Sequence, residues 1–186
     1  SDGTVRMLSG YQPIRVSTHA LEKEWETYSE LHDAFCFALP WGGHKFIYLT
    51  FPTEGKTFGY DIATELWHER ISWDPSGNEE KWRVSCAIHA HDYENRKLVG
   101  DADSGTIGFL DPDVYTEFGD PVRMILVFPT IHGDGLLGTM PMFEIDMKTG
   151  VGIATGQGSN PQIMLDWSDD GGQTWEVLGY PPQEPV

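Results

Sequence analysis

The sequence predicts an all-β protein of β-propeller-like architecture, complete or partial with about three to four blades, and with one short N-terminal helix. Short aromatic and β-branched runs alternate with Gly, Asp and Ser turns along most of the chain. These units recur at roughly 40 to 50 residues, the blade period of kelch-type repeats. The chain also holds 21 Gly and 7 Trp among 186 residues, a balance suited to sheets joined by many tight turns. A β-sandwich would show similar strand spacing and stays as the other all-β reading.

The helix is expected where Leu21, Trp25 and Tyr28 recur at i, i+4 and i+7, with Glu22, Glu24 and Glu26 between them. Thr18 is the candidate N-cap, and the early acids favour the positive end of the helix dipole. Strands follow at 35–39 and 45–51 around the turn Pro40-Trp41-Gly42-Gly43, and at 57–61 and 66–70 around Ile62-Ala63-Thr64-Glu65. A comparable unit runs through 83–91 and 97–101, separated by Asp92-Tyr93-Glu94-Asn95-Arg96, and on to 106–111 after Ala102-Asp103-Ser104-Gly105. A third covers 122–128, 141–146 and the closing hairpin. The shared cue is a strand ending in Asp, at Tyr60-Asp61, Leu110-Asp111 and Ile145-Asp146.

That closing hairpin is the most informative stretch. Strand-like 162–167 and 174–178 flank Ser168-Asp169-Asp170-Gly171-Gly172-Gln173-Thr174-Trp175. Asp170 is placed to accept hydrogen bonds from nearby amides, Gly171 and Gly172 tolerate positive φ, and Trp175 can fold back under the loop. The octapeptide resembles the Asp-box of sialidase-like propellers, which assigns Ser168, Asp170, Gly172, Thr174 and Trp175 a structural task in the turn. The expectation is one domain over 1–180 followed by a polar tail at 181–186. Ser1 opens without an initiator Met or a signal-peptide profile, so the chain is expected to be part of a longer one.

Twelve basic against 29 acidic residues give a formal charge of −17. Stable DNA binding draws on Lys and Arg that neutralise phosphates, so stable sequence-specific DNA binding is not expected, and an anionic membrane surface is disfavoured likewise. No apolar run approaches the roughly 20 residues of a membrane helix. Cys36 and Cys86, each in an apolar strand-like context, are expected to be reduced and buried.

Candidate chemistry is sparse. Sialidase action needs an arginine cluster for a carboxylate plus a Tyr and Glu pair, and the six arginines (Arg6, Arg15, Arg70, Arg83, Arg96 and Arg123) form no such motif. His89 and His91 beside Asp92 have the spacing of two metal ligands on one strand face, with His44, His68 and His132 as distant candidates, but read more simply as residues entering a hairpin loop. Asp101-x-Asp103-x-Gly105 and Asp111-x-Asp113 are fragments of a calcium-loop pattern without its distal Glu, and read as turn aspartates. Gly150 to Gly158 lacks the context of a phosphate-binding loop, and His132-Gly133-Asp134-Gly135 offers too few ligands for a metal. No catalytic residue, cofactor or metal is assigned.

The run 13–22, then Trp67-His68-Glu69-Arg70, Leu98-Val99-Gly100-Asp101, Ser104-Gly105, the glycine-rich 150–158 and the closing 161–175 resemble the packaged-DNA stabilisation proteins of short-tailed phages. The resemblance spans about Ile14 to Trp175 and implies the C-terminal portion of a longer, non-enzymatic tail accessory factor. Such a subunit would close the portal after packaging, stabilise DNA in the head and support further tail assembly. Its implied partners are copies of itself in a ring, the portal and other tail proteins, and its implied place is the virion, after synthesis in the bacterial cytoplasm. An acidic inner ring surface would repel DNA and let it pass. The alternative from another class is a carbohydrate-binding or glycoside-hydrolase propeller of sialidase type.

Overall fold

A computed structural model describes residues 3–74, 76–114, 116–131, 142–146 and 163–177. The chain divides into two compact units, Ser1–Val122 and Arg123–Val186. The described residues are mostly β, with one helix and several small antiparallel sheets.

The first unit opens with a hairpin of β1 (Arg6–Ser9) and β2 (Gln12–Arg15), turning at Gly10 with φ 63°. Its base is tied where Val16 N donates to Val5 O at 3.0 Å and Val5 N donates to Ser17 Oγ at 3.0 Å. Helix α1 (His19–Trp25) follows, with the Thr18 hydroxyl accepting from Leu21 N at 3.4 Å. It stops at Trp25, so Tyr28 lies in the next turn, where its amide bonds Trp25 O.

The main sheet runs β3 (Phe35–Trp41), β4 (His44–Phe51), β5 (Lys56–Asp61) and β6 (Leu66–Glu69) in simple meander order. β3 extends through Pro40 and Trp41, which sequence reading gives to the turn. The turn itself is only Gly42 and Gly43, at φ 58° and 88°, a two-residue connection that suits the twist of its strands. Pro40 is tolerated because β3 is an edge strand of this sheet.

Strand alternation gives this sheet two apolar faces. Leu49, Phe58 and Trp67 share one of them, and Trp25 of α1 covers it, with ring centroids 5.7 Å from Phe51, 5.8 Å from Phe58 and 6.0 Å from Trp67. The Trp67 indole also donates to Val16 O at 2.8 Å, which secures the hairpin's root. Phe37, Leu39, Phe46 and Tyr48 share the other face and pack on Trp82, Val84, Val99 and Ala87. Gly59 is required on that face, since a Cβ there would stand 2.4 Å from the His68 ring and 2.8 Å from Tyr48.

The short pair β7 (Ile71–Trp73) and β8 (Glu79–Lys81) leads to a second sheet of β9 (Val84–Ala90), β10 (Arg96–Asp101) and β11 (Ile107–Phe109), in the order β11-β10-β9. A pair formed by β12 (Thr116–Glu117) and β13 (Asp120–Pro121) ends the unit. Trp82 joins these parts. It is only 2% exposed, lies 4.6 Å from the Tyr48 ring and 5.8 Å from Phe37, and sits under the Arg70 guanidinium at 4.9 Å. Its amide donates to the buried Thr57 hydroxyl at 3.2 Å, and its indole donates to Glu117 Oε1 at 2.6 Å.

In the second unit the described strands are β14 (Asp166–Trp167) and β15 (Glu176–Val177), paired antiparallel. They are much shorter than the expected 162–167 and 174–178. The apolar runs 122–128 and 142–146 carry no strand, because β propensity without a ladder partner does not make one. The tail 181–186 and most of the 132–162 stretch lie outside the described residues.

The cysteines correct one expectation. Both are free, as read, but both are exposed rather than buried. Cys36 pairs with Leu49 on the α1 side of the sheet but stands on the edge strand β3, where it stays exposed, and the register break between Gly100 and Asp101 turns Cys86 away from the face that holds Val84.

Replacing Trp82 with Ala should cost about 3–5 kcal/mol, the usual range for emptying a large aromatic core site. Urea unfolding of the variant against wild type measures it. A loss below about 1 kcal/mol would show that the two sheets do not depend on this ring.

Candidate functional site

Three aspartate turns concentrate the polar organisation of the chain. In the first unit, Asp61 ends β5 and governs the turn to β6. Its Oδ1 accepts from Ala63 N at 3.0 Å, its Oδ2 accepts from the Thr64 hydroxyl at 2.7 Å, and His44 Nδ1 lies 2.7 Å from that same oxygen. Glu65 takes positive φ, 59°, while its amide donates to Asp61 O at 2.8 Å. Burial pushes the carboxyl upward, but the bonds from Thr64, Ala63 and His44 outweigh it and hold its pKa at about 2.

Asp101 repeats this arrangement at the end of β10. Asp103 N donates to it at 3.1 Å, Ser104 donates through its amide and its hydroxyl, and Gly105 takes the positive φ of 70°. Ala102 N bonds Arg83 O at 2.8 Å, matching Ile62 N to Lys45 O at 2.9 Å. Here the cation is Arg83, whose Nε and Nη2 reach the two Asp101 oxygens at 3.2 and 2.7 Å, while Nη1 reaches Asp120 at 2.7 Å. The Arg83 fork, then the Ser104 hydroxyl and the Asp103 amide, hold the Asp101 carboxyl far below the usual range against its burial.

The partner of Asp61 in the repeat is therefore Asp101 and not Asp111, as the strand-ending cue suggests. Asp111 follows the edge strand β11 and makes only local turn bonds among the described residues, its carboxylate accepting from Asp113 N and its carbonyl from Val114 N. A pattern of Asp, two residues, Ser or Thr, then a positive-φ residue separates the cases in sequence: Asp61 to Glu65 and Asp101 to Gly105 fit it. The third cue, Ile145-Asp146, is followed by residues outside those described.

The third turn is in the second unit, between β14 and β15. Asp170 Oδ1 accepts from the Ser168 hydroxyl at 2.8 Å and from the amides of Gln173 and Thr174 at 2.8 and 2.9 Å, while Oδ2 accepts from the Thr174 hydroxyl at 2.6 Å. Ser168 Oγ in turn accepts from Gly172 N at 2.8 Å. Gly171 and Gly172 sit at φ 78° and 90°, and the Trp175 indole donates to Gly172 O at 3.2 Å. The hydrogen bonds from Thr174, with that from Ser168, place the Asp170 carboxyl well below its ordinary range. Asp170, Gly172, Thr174 and Trp175 are all exposed.

The other candidates do not converge. The His89 and His91 rings lie tilted with centroids 4.2 Å apart, and His89 Nε2 lies 2.7 Å from Asn95 Oδ1, an arrangement that spends the imidazole on the loop. Among the described residues no group of three His, Cys, Asp or Glu stands in position to hold a metal. Asp103 lies within ion-pair distance of Lys81 and Arg83. His68 packs edge-on to Phe46 and Tyr48, and burial, then the nearby Arg70, lowers its pKa. Arg15 pairs with Glu22, Arg83 with Asp101 and Asp120, and Arg96 with Glu94, so these guanidinium groups are committed to carboxylates of the chain itself. His132-Gly133-Asp134-Gly135 and Gly150 to Gly158 lie outside the described residues.

A repeated sheet whose strand ends each time in a buried turn aspartate defines the β-propeller class. The chain belongs to the family described as Bacteriophage P22 Gp10, beta-propeller, which it matches over residues 1–115. It is a phage structural protein of the packaged-DNA stabilisation type, and membership implies association with the virion. The matched residues contain the four-stranded and three-stranded sheets and both buried aspartate turns of the first unit, and end before the Ser168–Trp175 turn. No curated protein matches the chain. No helix among the described residues is long and apolar enough to cross a membrane.

Both buried aspartates have folded-state values below the ordinary 3.8, so each contributes stability that is full above about pH 3.8 and is lost as pH falls, through about 2 for Asp61 and lower still for Asp101. The melting temperature should therefore fall steeply below pH 4, and Asp61→Asn should flatten part of that fall while lowering stability at pH 7. An unchanged acid limb in the variant would count against the Asp61 network. Arg83→Met, which leaves Asp101 buried without its cation, should cost about 3–5 kcal/mol in urea unfolding at pH 7. Asp170→Ala removes only exposed hydrogen bonds, so amide exchange at Gln173 and Thr174 should speed up while the urea midpoint of the first unit stays unchanged.

Proposed function

We propose that this chain is a subunit of the phage tail that closes the portal after packaging, stabilises the packaged DNA and supports the addition of further tail parts. The family match over residues 1–115 carries this reading. Its partners on this account are copies of itself in a ring, the portal and other tail proteins, with assembly into the virion following synthesis in the bacterial cytoplasm. It acts as a scaffold and not as an enzyme. The geometry is compatible with that role, because Asp61, Arg83, Asp101 and Asp120 of the first unit are engaged in fixing turns and sheets. The turn at Ser168–Trp175, with Ser168, Asp170, Gly172, Thr174 and Trp175, serves on this reading as an Asp-box staple of a blade hairpin.

The formal charge of −17 supports a surface along which DNA passes without stable binding, since like charge raises the cost of phosphate contact. Particles assembled without the protein should package DNA and then lose it, and supplying the protein should restore DNA retention. Electron microscopy should locate the subunit next to the portal. Normal DNA retention in its absence, or turnover of a sialoside reporter by the purified protein, would overturn the proposal in favour of another role or of a carbohydrate-active propeller.

A further inference from the structure

Where the packed layer between the four-stranded and three-stranded sheets ends, the facing side chains change from apolar to polar and basic. Strand alternation puts Trp41 on the face of Phe37 and Leu39, and His44 on the face of Phe46 and Tyr48. On the second sheet Lys97, paired with His89, shares the inner face of Val99. One step beyond Leu39, Tyr48 and Val99 there is a cleft of about 550 Å³, whose lining includes Trp41, His44, Lys45, Asn95, Arg96 and Lys97, all within the first unit. Small-ligand sites span about 300–1,000 Å³.

The lining runs against the charge of the chain. No carboxylate lines the cleft although the sequence holds 29 Asp and Glu, while three of its 12 Lys and Arg are there. Arg96 is already spent, on Glu94 and on the Phe109 ring 4.0 Å away. Lys45 and Lys97 are not: among the described residues neither ammonium has an ion-pair or hydrogen-bond partner, and the Trp41 indole donates no hydrogen bond. His44 is held in place, with its Nδ1 2.7 Å from Asp61 Oδ2 and its ring stacked on Phe46 at 5.8 Å between centroids. His89 occupies the Asn95 oxygen at 2.7 Å, which leaves the Asn95 NH2 group to donate. Asp92, Glu94, Asp111 and Asp113 stand in the flanking loops, so a long polyanion gains little from the surrounding field. Selection is therefore by contact, and the contacts offered are an aromatic face beside two uncommitted lysines. A base stacks on the first and a phosphate takes the second.

We propose that this cleft binds a nucleotide, with Trp41 against the base, Lys45 and Lys97 on the phosphate and Asn95 as an additional donor. It takes a single nucleotide, free or at the end of a single strand, and is not the extended phosphate track that stable DNA binding needs. The ligand class follows from the side chains of the cleft and does not rest on the tail reading.

Isothermal titration calorimetry of the full chain with thymidine monophosphate tests the site. Binding should saturate at one ligand per chain, and thymidine, which lacks the phosphate, should bind at least about tenfold more weakly. Trp41→Ala and Lys97→Gln should each weaken binding about tenfold, while Lys23→Gln on the exposed side of α1 leaves it unchanged. A 5′-phosphorylated oligothymidylate that matches the mononucleotide identifies a strand end as the source of the ligand, and one that binds less tightly identifies the free nucleotide. Lys97→Gln decides the case alone if Trp41→Ala loses the wild-type circular dichroism spectrum. No saturable binding, equal binding of thymidine, an affinity unmoved by Lys97→Gln or by a folded Trp41→Ala, or an equal loss in Lys23→Gln would each overturn the site. All of these are read in solution, so failure here stays separate from failure of the tail reading.

Discussion

Trp82 stands where two sheets, a buried hydroxyl and a distant carboxylate have to agree. Its ring fills the space between Tyr48 of the first sheet and the Val84 and Val99 layer of the second, and its amide is satisfied by Thr57, itself fully buried and 3.1 Å from Thr50. Its indole reaches Glu117, which also accepts from the buried Ser72 hydroxyl, and Ser72 Oγ accepts from Arg83 N at 3.0 Å. Polar groups with no access to water cost free energy unless paired, so this chain of donors fixes the crossing between the sheets more narrowly than apolar contact alone would. The position of Arg83, and with it the Asp101 turn, follows from that crossing.

The two buried turns solve one problem with different nitrogen partners. A hairpin that ends a blade strand must satisfy its own amides while tucking a carboxylate into the sheet, and at Asp61 the third partner is His44, at Asp101 it is Arg83. The guanidinium offers a two-pronged fit that a single imidazole nitrogen does not. Arg83 then adds Asp120 and lies 5.2 Å from the Phe118 ring, so the second turn also anchors the β12–β13 pair. The turn at Asp170 uses similar donors on the surface, where water competes with each bond and the energetic return is smaller.

Much of the first unit was legible because its strands are aromatic and β-branched and are punctuated by glycine, so that the runs at 35–39, 45–51, 57–61 and 97–101 lie within observed strands. Local chemistry also marked the Thr18 cap and the donors around Asp170. What sequence could not reveal was set by contacts distant in the chain. Trp82 reads as one aromatic among several until Thr57 and Glu117 come to it across 25 and 35 residues. Cys86 faces out because a register break reverses the alternation its neighbours suggest. The β1–β2 hairpin was missed since Gln12-Pro13 and Arg15 have little strand character, and its ladder rests on pairing and on the Val5 to Ser17 tie.

The arrangement also gives the unit a direction. Helix α1 places Trp25 on one face of the first sheet and thereby ends the stack on that side, as capping elements do in repeat proteins. On the other side the second sheet repeats the Asp-turn and the inner packing, but nothing comparable to α1 among the first unit's own elements covers its outer face. Among the first unit's own elements the stack is capped at one end and apolar at the other, where Ile88 and Ile107 lack the burial that stabilises Phe37 and Leu39. For an enzyme such a face is a liability. Cover of that face by any further element would recover the transfer free energy that its apolar side chains now forgo.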